Sequence, residues 1–258
     1  MNDSASGPDS TQETFISHLI ELRSRLLRSI IAVVVVLLCL FPFAKEIYGL
    51  LAAPLLKALP KGSTMIATDV TGTFLVPLKV TLMAAFLLAL PYVLYQMWAF
   101  VAPGLYQHEK RLALPVIISS VLFFALGMAF AYFIVFPVAF GFFAGYAPVG
   151  VQMMTDIDKY LSFVLTMFIA FGVTFETPVV VIVLVRFGVV SLEKLRSIRG
   201  YVIVGSFIVG AIFTPPDILS QVMLAIPLWL LFELGLLVAR FVSVSKSEGN
   251  APAEQKAG

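Results

Sequence analysis

Six strongly apolar stretches alternate with short polar loops along the chain, at about 30–43, 74–100, 112–143, 160–185, 198–213 and 219–239. Several exceed the roughly 20 apolar residues that a helix needs to cross a bilayer core of about 30 Å. Inside lipid every backbone N–H and C=O must be paired within its own segment, so runs of this length are helices rather than open strands. The pattern predicts an all-α, polytopic integral membrane protein with six transmembrane helices.

Periodicity refines the outline. Ser10-Thr11-Gln12-Glu13 reads as a capping box that opens a helix. Phe15, Leu19, Leu22 and Leu26 then form one apolar stripe, with His18, Glu21, Arg25 and Arg28 on another face. The first span is expected to continue this amphipathic helix. Residues 1–28 form an N-terminal arm, 29–240 a six-helix membrane domain and 241–258 a disordered tail. In the loop at 45–73, Ile47, Leu51 and Leu55 are four apart with Pro54 among them, which predicts a short interfacial helix kinked at the proline. Pro103-Gly104 ends the second span and leaves a loop through Tyr106, His108, Glu109, Lys110 and Arg111. Span five has about 16 residues, roughly 24 Å of helix, so spans five and six are expected to be short and the bilayer thinned around them.

Composition narrows the class. The chain is 60% hydrophobic and 12% charged, with mean hydropathy +1.01, leaving no room for a sizeable soluble domain. A net charge of +2 gives no reason to expect nucleic acid. Twelve of the 17 Lys and Arg residues fall on the side of the N-terminus, so both termini are expected in the cytoplasm. Arg23, Arg25 and Arg28 before an apolar run imitate a secretory signal, yet no small-x-small site follows and a retained first span is the better reading. Cys39 is the sole cysteine, so no disulfide or cysteine metal site forms within one chain. Phosphate-loop, zinc-protease and serine-hydrolase motifs are absent, and no cofactor or metal is expected.

Few residues are left to carry chemistry. Glu176, in Phe175-Glu176-Thr177-Pro178, lies well inside the fourth span. A charge at mid-membrane costs about 2.5–3.5 kcal/mol on the most lenient scale. Glu176 either bonds, as a neutral acid, to a carbonyl freed by Pro178, or serves as a polar point for a partner or passing substrate. Glu233 could reach Arg240 two turns on, or snorkel. Glu21 faces Arg25 at i+4 and Glu109 precedes Lys110-Arg111, both ordinary arrangements singly. Together they are two carboxylates that a guanidinium-bearing ligand would need. Asp217 is placed to cap span six, and with Gln221 it could instead form a polar contact between helices.

These landmarks, in this order, resemble the TatC family, the multispanning receptor subunits of twin-arginine protein translocases. The resemblance rests on His18-Leu19-Ile20-Glu21-Leu22-Arg23, Ala53-Pro54-Leu55, Trp98-Ala99-Phe100-Val101-Ala102-Pro103-Gly104, His108-Glu109-Lys110-Arg111, Phe171-Gly172-Val173-Thr174-Phe175-Glu176-Thr177-Pro178 and Thr214-Pro215-Pro216-Asp217. It spans about residues 15–240. It implies a concave, glove-like membrane protein of the bacterial inner membrane that binds Arg-Arg signal peptides of folded precursors. TatB-like and TatA-like single-span subunits and membrane lipid are the implied partners, in a multimeric complex driven by the proton-motive force. Glu21, Glu109, Phe100, Arg23, His108, Lys110 and Arg111 are the implied signal-peptide residues. Glu176, Gln221, Asp217 and Pro54 are the implied intramembrane and partner contacts. The rival reading is a proton-coupled secondary transporter with Glu176 as carrier.

Overall fold

The structure is a computed structural model that describes residues 9–58, 65–101, 110–146, 154–214 and 217–248. Helix α1 runs unbroken from Asp9 to Leu40, joining the amphipathic arm to the first span as the periodicity predicts. A 3₁₀ turn at Phe41–Phe43 leads into α2, Ala44–Ala58, the helix expected around Pro54. The second span is α3, Gly72–Val101. The third comprises α4, Lys110–Phe130, a π-helical stretch at Ala131–Val135, and α5, Phe136–Gly145. The fourth is α6, Ile157–Phe175, and α7, Thr177–Arg186, broken at Glu176. A short helix α8, Leu192–Ser197, precedes α9, Arg199–Phe213, and α10, Ile218–Glu248.

Five helical stretches among the described residues are long and apolar enough to cross a membrane, and α9 is a shorter apolar helix beside them. Span five is short, at 15 residues. Span six departs from expectation: its apolar stretch covers 24 residues, and its helix runs 31 residues through Arg240 to Glu248. Nothing between Arg240 and Glu248 breaks it, because that stretch holds neither Gly nor Pro.

The fourth span is the centre. More than half of its apolar window is buried, whereas no residue in that of α1 is fully buried. Phe136, Phe140, Tyr160, Val164, Met167, Phe171 and Leu224 form the principal cluster. A second cluster, Leu90, Leu94, Trp98, Phe124, Val179 and Val183, joins α3 and α4 to α7. Close approach between α4 and α6 depends on Gly127. A Cβ there would stand 2.4 Å from the Phe171 carbonyl oxygen, which is backbone and cannot yield.

Prolines break helices, and in lipid the carbonyl left without an amide donor needs another. Pro54 deprives the Leu50 carbonyl of its donor, and the Tyr132 hydroxyl donates to that oxygen at 3.0 Å. Tyr160 donates to the neighbouring Leu51 carbonyl at 2.8 Å. Pro178 frees the Thr174 carbonyl, and the Thr177 hydroxyl donates to it at 2.6 Å. Around Pro137 the third span widens into its π turn, with Phe136 N–H reaching back to Ala131 O.

The loop before α3 is pinned to the start of α6. Ile66 pairs with Asp156 in a short parallel bridge, through Ile66 N to Thr155 O at 3.0 Å and Ile157 N to Ile66 O at 2.9 Å. Asp156 caps α6 through Oδ1, which accepts from the amides of Asp158 and Lys159. Its Oδ2 accepts from the Thr68 hydroxyl at 2.5 Å and amide at 3.0 Å. The Thr68 hydroxyl, then the Lys159 and Thr68 amides, hold the carboxyl well below its ordinary range, to about 2. Lys79 reinforces the junction with an ion pair to Asp158 at 2.5 Å.

Two predictions follow from this packing. Gly127→Ala should markedly lower the thermal midpoint in detergent, since overpacking a filled contact ordinarily costs about 1–3 kcal/mol. Gly141→Ala, where a Cβ meets nothing within 4 Å, should leave it unchanged. Equal midpoints in the two variants would show that the α4–α6 approach is not tight. The Asp156 clamp should be fully present above the unfolded carboxyl value near 4 and lost as pH falls towards 2. A spin label at Ala67→Cys in a Cys39→Ser background should stay immobile from pH 7 to about 4.5 and loosen below about 3. Asp156→Asn should loosen it at neutral pH.

Candidate functional site

The polar face of α1 meets the end of α3. Arg25 donates to Glu21 through Nε at 2.9 Å and through a terminal nitrogen at 2.7 Å, and both bonds fall on Oε1. Its other terminal nitrogen donates to Gln96 Oε1 at 3.2 Å, and Gln96 Nε2 donates to the Tyr92 hydroxyl at 2.8 Å. One turn earlier, His18 stacks on Phe100 with ring centroids 4.3 Å apart. The partly exposed Glu21–Arg25 pair and the His18–Phe100 stack thus occupy neighbouring turns of α1. Arg23 is exposed on α1. Glu109 and His108 lie outside the described residues. Lys110 and Arg111 open α4, but their side chains are likewise not described. Gln96 and Tyr92 were missed in the sequence, although a glutamine inside an apolar run was the available signal.

Glu176 sits at the break between α6 and α7 and is buried. Among the described residues neither carboxyl oxygen meets a hydrogen-bond partner at full bonding geometry, and Ser120 is its polar neighbour. The Ser120 hydroxyl beside it accepts from the Trp98 indole N–H at 3.0 Å and keeps its own proton to donate. The carbonyl freed by Pro178 is taken by Thr177, so the bond that would have made Glu176 a merely structural residue goes elsewhere. An unpartnered buried polar group costs about 1–3 kcal/mol, and more when charged. Val173, a turn before it, lines a largely apolar cleft of about 460 Å³ between α1, α3, α4 and α6, with Val33, Met83, Phe86, Phe124 and, at one edge, Lys79. Glu176 is not among the residues lining that cleft.

At the opposite end, Asp217 acts as the predicted cap: its Oδ1 accepts from Ser220 N at 2.7 Å. Gln221 ties the hairpin by donating to the Phe207 carbonyl at 3.0 Å, beside Gly210, where a Cβ would come within 3.0 Å of the Gln221 side chain. Neither residue hydrogen-bonds Glu176. Pro54 supplies a freed carbonyl for Tyr132. Glu233 pairs with Arg199 at 2.6 Å across helices, a partner that neither reach to Arg240 nor snorkelling had offered. The antiparallel hairpin brings Arg199 to the level of Glu233, which a reading along one helix cannot show.

Helices long and apolar enough to cross a membrane, with breaks repaired by side chains and a buried carboxyl among them, define a multi-pass helical membrane protein. A sequence model of the family described as Sec-independent protein translocase protein (TatC) matches residues 17–227. The TatC protein of Azotobacter chroococcum mcd 1 is 59% identical over 230 residues, covering 89% of this chain and 90% of that one. That of Escherichia coli K12 is 57% identical over 229 residues, with 89% of each covered. A solved crystal structure of the twin-arginine translocase receptor TatC superposes with a TM-score of 0.77 at 42% identity, covering 88% of this chain and 99% of that one. The chain belongs to the TatC family. It is a multi-pass inner-membrane component of a protein translocase and not an enzyme.

Proposed function

We propose that this subunit is the receptor for twin-arginine signal peptides, with both termini in the cytoplasm. It binds the Arg-Arg motif of folded precursors and organises TatB-like and TatA-like single-span subunits for export driven by the proton-motive force. The observation that carries this reading is the Glu21 carboxylate. Arg25 grips only Oε1 of a partly exposed group that lies one turn along α1 from the His18–Phe100 stack. A protein that already seats one guanidinium on this carboxylate has the geometry to seat another. Phe100 supplies the apolar wall beside it, Glu109 the second acceptor, and Arg23, His108, Lys110 and Arg111 the surrounding polar rim.

Charge-assisted hydrogen bonds contribute about 1.5–3 kcal/mol each, so Glu21→Ala or Glu109→Ala should weaken binding of a twin-arginine peptide by roughly one to two decades. The loss should be smaller for a Lys-Lys peptide, because an ammonium lacks the planar fork. Wild-type affinity in both variants would remove the acidic pair from the site.

A second reading, proton carriage, is favoured by one observation: Glu176 is buried and, among the described residues, neither carboxyl oxygen meets a partner at full bonding geometry. The two readings part on substitution. As a polar contact for a partner or an inserted peptide, Glu176→Gln keeps most of the hydrogen bonding and should retain substantial export of a folded reporter. Glu176→Leu should impair export while leaving signal-peptide crosslinking at Glu21 intact. Equal and complete loss of export in both variants, with normal assembly, would establish proton carriage instead.

A further inference from the structure

A serine inside a helix ordinarily gives its proton to its own backbone. Ser119 does so, donating to the Val116 carbonyl at 2.9 Å, and Ser206 does so to that of Ile203 at 2.7 Å. Ser120 departs from that habit. It is fully buried on α4 and accepts from the Trp98 indole N–H at 3.0 Å, and among the described residues no backbone carbonyl takes its proton. An indole nitrogen only donates, so Ser120 is the acceptor of this pair and its proton points elsewhere.

The packing register supplies the direction. α4 and α6 touch where Phe124 lies over Gly172, so close that a Cβ there would stand 2.4 Å from the ring. One turn back from Phe124 is Ser120, and one turn on from Gly172 is Glu176, at the break before α7. Ser120 lies ten residues from Lys110 and Glu176 ten from Arg186, so both stand about 15 Å from the same side of the bundle. Trp98, Phe124 and Val179 share one apolar cluster, which keeps the indole on that flank. The carboxyl that Ser120 faces has both oxygens buried and open to a donor.

Trp98 also belongs to the end of α3 that meets α1. Gln96 and Phe100, the partners of Arg25 and His18, are four residues apart on one face of that helix. Trp98 between them points the other way and is buried. A ligand that displaces this end of α3 therefore moves the indole on Ser120.

We propose that Trp98 and Ser120 are positioning residues for Glu176, a one-way chain of donors that orients its carboxyl and couples it to the end of α3. The chain holds the carboxyl but conducts no proton, because an indole donates without releasing its hydrogen. The coupling rests on the reading of the Glu21–Phe100 region as the signal-peptide site, whereas the positioning does not.

The test is infrared difference spectroscopy of the full-length protein in lipid nanodiscs, with the Glu176 carboxyl band identified by its loss in E176Q. S120A should shift the band, and W98F should shift it in the same direction by less. S120T, which keeps the hydroxyl, should leave it in place. The two disruptive variants cut the chain at different points, so a band that moves in both reports the chain and not a local collapse. A band unmoved in both would overturn the proposal. A saturating twin-arginine peptide should move the wild-type band towards its position in S120A, and should leave the S120A band where it is while binding with unchanged affinity. Peptide binding to wild type with an unmoved band would overturn the coupling and leave the receptor reading intact. Absence of peptide binding to wild type would overturn the receptor reading and the coupling together, and the positioning would still be decided by the variants alone.

Discussion

Without water in the bilayer core, a helix can be interrupted only where another donor reaches the carbonyl that the interruption frees. Pro54 and Pro178 each sit four residues after an orphaned carbonyl, and a hydroxyl reaches each one, from Tyr132 at Leu50 and from Thr177 at Thr174. The two repairs have different reach. Thr177 acts within its own chain segment and merely permits a bend. Tyr132 comes from the third span, and with Tyr160 from the fourth it fastens α2 to both. A break in one helix has become a joint between three.

The Glu176 carboxyl can be understood against this background. Its segment is broken, the carbonyl released at the break is already satisfied, and the neighbouring Ser120 hydroxyl accepts from Trp98 while its own proton stays available to the carboxyl. At the polar end of α1, Arg25 binds one oxygen of Glu21 while linking α1 to Gln96. α1 depends on such links, because no residue in the apolar window of its span is fully buried and α3 is its principal neighbour.

The spans, the helix around Pro54, the cap at Asp217 and the continuity of α1 were legible in the sequence, since each rests on local periodicity or on one residue's chemistry. The family was legible from ordered motifs. Contacts between helices were not. Gln96 reads as a blemish in an apolar run until α1 brings Arg25 beside it. Glu233 has a basic residue two turns away on its own helix, and only the hairpin shows that Arg199 reaches it from another. The length of span six was inferred from its short neighbour, whereas its own helix runs on without interruption to Glu248. Of the acidic pair assigned to the signal peptide, Glu21 can be placed, and Glu109 lies outside the described residues.

The 15-residue length of α9 also has an electrical consequence. The membrane potential is fixed by the two aqueous phases, so the field between them rises as the path across lipid shortens. Where the hydrocarbon follows α9 to about 22 Å in place of about 30 Å, the same voltage falls over roughly three-quarters of the distance. A charge moving beside this hairpin gains the same total work but feels about a third more force along the way.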